Sequence, residues 1–480
     1  MIERKRMKKY GILLALVSSV FTAQAMVKLP SLLGDNMVLQ QQAAVKLWGQ
    51  ATPGAQVRIT PSWSGQTVRC LTDKEGKWMV TVQTPEGGYT PYEITFDDGD
   101  KLTLKNVLVG EVWLASGQSN MEQTLYRYEE CPIENAEDEI INASSEKGIR
   151  MFNVPNVRKY EPQEECGGNW MVPNMDVAPR FSATAWFFAK SLTRALNVPV
   201  GVVVAAAGGS MIESWMDKAT VENYPDIPTD KEGIEKMAGW LRPLGLYYAM
   251  FYPVRNYHFK GILWYQGCSN VGKHDTYAQR MADMVKLWRR DLGQGELPFY
   301  YVELAPFAHN DKPDGINGAL LREAQFKAQS LIPNSAMIST NDLVEPYEVY
   351  NVHPRGKDKV GRRLSYAALK LTYGKEIMHY TGPIYKELSI QGHQATVSFT
   401  NLPMGLCRTE GLEGFEVAGE DRVFYPADQV RANKRKGTVT VSSEKVPAPV
   451  AVRYCFRNFQ IGNLIGAFEL PAVPFRTDNW

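Results

Sequence analysis

Between Val112 and Ser339 the chain alternates short, almost wholly apolar runs with segments of helical period, and that alternation is its most restrictive feature. A strand buried on both faces cannot alternate polar with apolar, so such runs mark a parallel sheet covered by helices on either side. The expected strands are Val112–Ala115, Val200–Ala205, Gly261–Tyr265, Pro298–Glu303 and Ser335–Ser339. Ala185, Phe188, Ala189, Leu192, Ala195 and Leu196 form one helical stripe behind a Ser182 N-cap. Tyr277, Met281, Met284, Val285, Trp288 and Leu292 form another, which stops at Gly293. A doubly wound α/β domain follows.

On either side of this stretch the period changes to two. From Val27 to about Asn106, runs such as Val45-Lys46-Leu47-Trp48 and Lys77-Trp78-Met79-Val80-Thr81-Val82 are split by Gly, Pro, Asp and Asn, the pattern of a β-sandwich. Alternation returns after Met378, in Ala395–Thr400, Thr438–Ser442 and Val450–Phe456. The expected division is therefore 1–25 as a leader, 26–106 and 378–480 as β modules, and 107–377 as the α/β domain. Glu122–Pro179 is polar, weakly periodic and rich in Pro and Asn, and reads as an insertion of loops.

The leader has a basic stretch containing Arg4, Lys5, Arg6, Lys8 and Lys9, then an apolar run from Gly11 to Phe21, then Ala23-Gln24-Ala25. This is the pattern of a cleaved secretory signal. The run is about 11 residues, short of the roughly 20 needed to span a bilayer. A mature chain beginning near Met26, exported to the periplasm or the medium with no membrane span, is expected. The formal charge of +1 is close to neutral and gives no electrostatic case for a nucleic-acid partner. The six cysteines include no C-x-x-C pair, which argues against a zinc ribbon. Of possible pairs in an exported protein, Cys131 with Cys166 is the nearest in sequence.

Ligands of an open parallel sheet bind beyond the carboxyl ends of its strands. The polar residues there are Ser116-Gly117-Gln118-Ser119-Asn120-Met121, Gly208-Gly209-Ser210, Gln266-Gly267-Cys268-Ser269-Asn270 and Asn351-Val352-His353-Pro354. A serine nucleophile needs a base for its proton and donors for an oxyanion, and these loops supply both. His258 precedes a strand, His309 lies in a polar loop, and His379 and His393 belong to the last module. His353 is the best-placed base, with His274 left open by position. Gly117-Gln118-Ser119-Asn120-Met121 is not the G-x-S-x-G elbow, because Met121 stands at the second glycine. Gly267–His274 nearly spells a phosphate-binding loop, yet His274 stands where Ser or Thr would hold Mg²⁺. Nothing in the sequence implies a metal or cofactor.

From Gly110 to Met121 the chain reads Gly110-Glu111-Val112-Trp113-Leu114-Ala115-Ser116-Gly117-Gln118-Ser119-Asn120-Met121. With Asp35-Asn36-Met37-Val38-Leu39-Gln40, Glu213-Ser214-Trp215, Ile262-Leu263-Trp264-Tyr265-Gln266-Gly267, Leu321-Arg322-Glu323-Ala324-Gln325 and Pro474-Phe475-Arg476-Thr477-Asp478, it resembles the sialate O-acetylesterase family of SGNH hydrolases. The resemblance spans nearly the whole chain after the leader. It implies an SGNH-type, flavodoxin-like sheet flanked by β modules, and removal of acetyl groups from sugar hydroxyls, foremost those of sialic acid. It implies Ser119 as nucleophile and His353 as base, with the Ser119 amide and the Gly208-Gly209 loop as oxyanion donors assisted by Gln266 or Asn270. Gln118 and Trp215 join the expected substrate-binding residues, Trp215 as a stacking surface shared with Trp264 or Tyr265.

Two departures stand out. Cys268 replaces the Glu of the family's Q-G-E motif, and Tyr350 stands where a D-x-x-H pair would place Asp. Asp342 is the expected third member of a triad, ahead of Glu345 and Glu348, with a Ser-His dyad as the alternative. An ordinary imidazole predicts an acid limb in kcat/KM near pH 6.5. Acetylated xylan or another polysaccharide is the competing substrate. A carbohydrate-binding protein with impaired catalysis is the competing class.

Overall fold

A computed structural model describes residues 27–126, 131–308 and 311–480. The expected leader and His309 lie outside these residues. The protein is mixed α/β, with a mostly parallel central sheet and separate antiparallel sheets. The central strands are β1 (Lys101–Gly117), β2 (Ile149–Asn153), β3 (Val200–Ala206), β4 (Gly261–Tyr265), β5 (Phe299–Val302) and β6 (Ser335–Ile338). They lie in the order β6-β5-β4-β1-β3-β2, all parallel. The chain leaves β1 toward β2 and β3 on one side and leaves β4 toward β5 and β6 on the other, so the switch in strand order lies at the end of β1.

Both faces of the sheet are dry. Val112, Leu114, Ile262, Trp264, Phe299 and Tyr301 point into one core cluster, while Trp113, Ala115, Leu263, Tyr265, Tyr300 and Val302 point into the other. The first face is covered by α3 (His274–Leu292) and α4 (Asn317–Ala328), the second by α2 (Ala183–Leu196) and α5 (Lys357–Leu371). This explains the continuous apolar runs: each strand serves two cores. Ser182 caps α2 as expected, its Oγ accepting from the Ala185 amide at 3.2 Å, and Gly293 ends α3 at φ 64°.

The loop reading of Glu122–Pro179 needs correction, because it contains β2. That strand pairs with β3 from Ile149↔Val200 to Asn153↔Val204 and extends the central sheet. Five residues, with Arg150 and Asn153 among them, are too short and too polar to stand out by period alone. β1 is seventeen residues long and bridges two regions. Its first half pairs antiparallel with Gly88–Asp97 in the N-terminal β region, and its second half lies between β3 and β4. The expected boundary at 106/107 therefore lies inside one strand. At the C-terminus, two four-stranded antiparallel sheets enclose a separate core that includes Val397, Val417, Val439, Tyr454 and Phe475.

Candidate active site

The first turn beyond β1 sets the geometry. Gly117 adopts φ 138°, and a Cβ there would fall 2.2 Å from the Tyr265 carbonyl oxygen, so a side chain is excluded where β1 turns beside β4. The chain then enters α1 (Ser119–Glu122). Ser182 Oγ donates to the Met121 carbonyl at 2.6 Å and Thr184 Oγ1 to the Asn120 carbonyl at 3.2 Å, docking α1 on the start of α2.

Across 234 residues of sequence, His353 Nε2 lies 2.8 Å from Ser119 Oγ. In the tautomer that accepts from Ser119, Nδ1 carries the proton and faces Cys131 Sγ at 3.7 Å. Cys131 Sγ in turn donates to Asn351 Oδ1 at 3.2 Å, and the same oxygen accepts from the His353 amide at 2.9 Å. Burial, reinforced by the nearby Lys357 ammonium, pulls the His353 imidazole down to about 4. This lies below the ordinary imidazole range expected from sequence and favours the neutral ring, the form able to accept a proton.

Asp342 does not join this pair. Both its carboxylate oxygens accept from Arg363 of α5, at 2.7 and 2.6 Å, and the Arg363 guanidinium is almost fully buried. A buried cation needs its counter-charge, and Asp342 supplies it. Glu348 instead shapes the histidine loop, accepting from the Glu345 amide at 2.8 Å and from Asn351 Nδ2 at 3.1 Å.

Gln266 and Asn270, expected as oxyanion donors, lie below the rim with their donors committed. Gln266 Nε2 donates to the Ser210 carbonyl and to Asn270 Oδ1, at 3.0 and 2.7 Å. Asn270 Nδ2 donates to Glu213, which also pairs with buried Arg280. The Gly208 amide is likewise occupied, by Glu122 Oε2 at 2.6 Å. The amides of Ser119 and Gly209 have no hydrogen-bond partner among the described residues. Gln118 Oε1 accepts from the Gly267 and Cys268 amides at 2.8 and 2.9 Å, locking the β1 and β4 turns together.

Trp215 is fully buried, packed edge-on against Trp264 and Trp288 with Nε1 donating to Ser210 Oγ. It is core, as are Trp264 and Tyr265, and none of the three can stack on a sugar. The exposed indole near the site is Trp240, 59% accessible and lying against Gly209. No period or motif marks it, because its neighbours Gly239 and Leu241 sit in a short turn.

Sequence reasoning also missed a clamp beneath the histidine. Asn120 Nδ2 donates to the Val352 carbonyl at 3.0 Å, while buried Lys357 Nζ donates to Asn120 Oδ1 at 2.7 Å and to the Pro354 carbonyl at 2.8 Å. The carbonyls flanking His353 are thereby held from the serine side. The position of Asn120, beside Ser119, was the available signal. Burial lowers the Lys357 ammonium to about 7. Cys268, in place of the family's Glu, is a buried thiol pushed up to about 12 and so stays neutral. All six cysteines are free thiols, which overturns the Cys131–Cys166 pair: Cys131 faces His353, while Cys166 Sγ lies against its own neighbour's carbonyl, that of Gly167. Among the described residues no group of three or more His, Cys, Asp or Glu could hold a metal, and no helix is long and apolar enough to cross a membrane.

A sequence model described as carbohydrate esterase, sialic acid-specific acetylesterase, matches residues 109–370. The crystal structure of a carbohydrate acetylesterase from Xanthomonas citri superposes with a TM-score of 0.84 at 34% identity, covering 95% of this chain and 100% of that one. The sialate O-acetylesterase of Homo sapiens is 26% identical over 93% of this chain and 91% of its own length. That of Mus musculus is 26% identical over 82% of each.

Proposed function

Because the chain belongs to the sialic acid-specific acetylesterase family of carbohydrate esterases, and is a carboxylic ester hydrolase, we propose that it removes O-acetyl groups from sialic acids through an acetyl-serine on Ser119. The contact of 2.8 Å between Ser119 Oγ and His353 Nε2 carries this reading. His353 takes the hydroxyl proton as Oγ bonds to the acetyl carbonyl carbon. The carbonyl oxygen becomes an oxyanion, received by the Ser119 and Gly209 amides. On collapse the carbon–oxygen bond to the sugar breaks, and His353 returns the proton to the leaving sugar oxygen. A water then gives its proton to His353 and its oxygen to the acetyl carbon, and acetate leaves as Ser119 regains the proton. The chain carries this out as an exported protein, in the periplasm or the medium.

Two features support a Ser-His pair without a carboxylate partner. Asp342 is held by Arg363, and the clamp of Asn120 and Lys357 orients the histidine loop through its backbone. The test is acetate release from O-acetylated sialic acid and from acetylated xylan, by wild type and Ser119→Ala. The expected result is a loss of at least ~10³-fold in kcat for Ser119→Ala, the scale of removing a catalytic nucleophile, with sialic acid the better substrate. Equal rates from the two proteins would remove the mechanism and favour a binding protein, whereas preference for xylan would remove the sialic acid assignment alone.

A further inference from the structure

Arg158 follows β2 and carries a guanidinium that the fold leaves only partly used. Its Nη1 lies 3.4 Å from Asn156 Oδ1, while Nε and Nη2 are shielded from water and have no hydrogen-bond partner. The stem packs on Gly245, where a Cβ would fall 3.1 Å from Arg158 Cβ, and the adjoining Lys159 amide donates to the Gly245 carbonyl. Burial draws the guanidinium below its ordinary value. Tyr160 and Glu122 act in the opposite sense, and Arg242 adds to the lowering. Shielded donors without acceptors are rare because they cost free energy, and a carboxylate meets two parallel guanidinium donors at once.

A short chain of contacts joins Arg158 to the reaction centre. Asn156 Nδ2 donates to Glu122 Oε1 at 3.0 Å, and Glu122 closes the turn that Ser119 opens, its other oxygen holding the Gly208 amide. On the neighbouring glycine, a Cβ at Gly209 would fall 2.9 Å from Trp240 Cδ1, so the indole rests directly on the backbone that supplies the free amide. Arg242, two residues beyond, has its guanidinium occupied by the Met237 and Glu235 carbonyls. An exposed indole thus rests on this loop, and an arginine with two unpaired donors is linked to it through Asn156 and Glu122.

We propose that Arg158 pairs with the carboxylate of an acetylated acidic sugar while Trp240 stacks on its ring, so that these two residues separate acidic from neutral sugar esters. This rests on the acetylesterase reading above and adds to it the source of preference for an acidic sugar. Nε and Nη2 are shielded, so pairing requires the side chain or its cover to shift as the sugar enters. Glu122 is the carboxylate that acts on Arg158, and its two oxygens are already engaged by Asn156 and Gly208.

The test separates recognition from turnover by using Ser119→Ala protein and calorimetric titration. The ligands are the methyl glycoside of an O-acetylated sialic acid and the methyl ester of its carboxyl group. The free acid is expected to bind at least tenfold more tightly, and adding Arg158→Met should abolish that ratio, with Arg158→Lys restoring part of it. Trp240→Ala should weaken both ligands alike. Equal affinity for acid and ester overturns the carboxylate site. So does an equal loss for both ligands in Arg158→Met, or a fall in thermal stability in that variant with the acid-to-ester ratio intact. Unchanged affinity in Trp240→Ala overturns the stacking role. Failure of wild type to release acetate from any ester would remove the esterase reading while leaving the binding comparison decisive.

Discussion

At the residue scale, the fate of Asp342 shows how a charge is assigned by what surrounds it. Its bidentate partner Arg363 is 6% exposed and also donates to the Ser339 carbonyl at 2.8 Å. Removing the carboxylate leaves a buried guanidinium uncompensated. Asp342→Ala is expected to destabilise the protein by about 2 kcal/mol, less than a fully buried pair because Asp342 is partly exposed. Its kcat should stay within about threefold of wild type, since the histidine does not lean on it. A kcat loss of about 10³-fold, the scale of a triad member, would restore Asp342 to the catalytic group. Gln266 and Asn270 teach the same point: their residue types suit an oxyanion hole, but their donors face inward toward Ser210 and Glu213.

At the scale of elements, the site is assembled by the end of β1, by α1, and by the loop leading into α5. Lys357 is the first residue of α5, and its buried ammonium spans from Asn120 to the carbonyl after His353. The charged or titratable groups acting on it are Cys131, Cys268 and Glu348, and its own charge lowers His353. His353 is neutral above about 4 and loses its capacity as a base as pH falls through that value, so the acid limb of kcat/KM should lie near pH 4. Lys357 is charged at that pH, below its own value of about 7, so Lys357→Met should move the limb upward toward the ordinary imidazole range. A wild-type limb near pH 6.5, or one unmoved in Lys357→Met, would contradict the electrostatic account.

At the scale of the whole molecule, the central sheet and the N-terminal β region share one continuous core. Val45, Leu47, Trp78 and Ile94 belong to the same cluster as Leu114, Trp264 and Trp288. The C-terminal sheets have a core of their own and are joined to the rest by apolar contact, Val473 belonging to the shared core, and by polar contacts, with Arg322 of α4 donating to the Cys455 and Arg457 carbonyls and Arg476 pairing with Glu323. Export belongs to this scale as well. Protein recovered from the periplasm or medium of the producing cell should give an N-terminal sequence starting near Met26. An intact N-terminus on protein confined to the cytoplasm would contradict that expectation.

What the sequence determined on its own was whatever depends on near neighbours along the chain. The strands β1 and β3 to β6 were legible because burial on both faces demands unbroken apolar runs, and α2 and α3 because a buried stripe repeats every 3.6 residues and is bounded by Ser182 and Gly293. Ser119 and His353 were legible because they follow strand positions on the same rim, and the family motifs reinforced them. The tertiary structure decided everything that depends on which way a side chain turns and what meets it there. It settled that Asp342 answers Arg363, that Trp215 is core while Trp240 is exposed, that the short polar strand β2 joins the sheet edge, and that Asn120 and Lys357 hold the histidine loop. The reason is physical: a buried polar group takes its direction from partners that can lie hundreds of residues away, and local pattern carries no record of those partners.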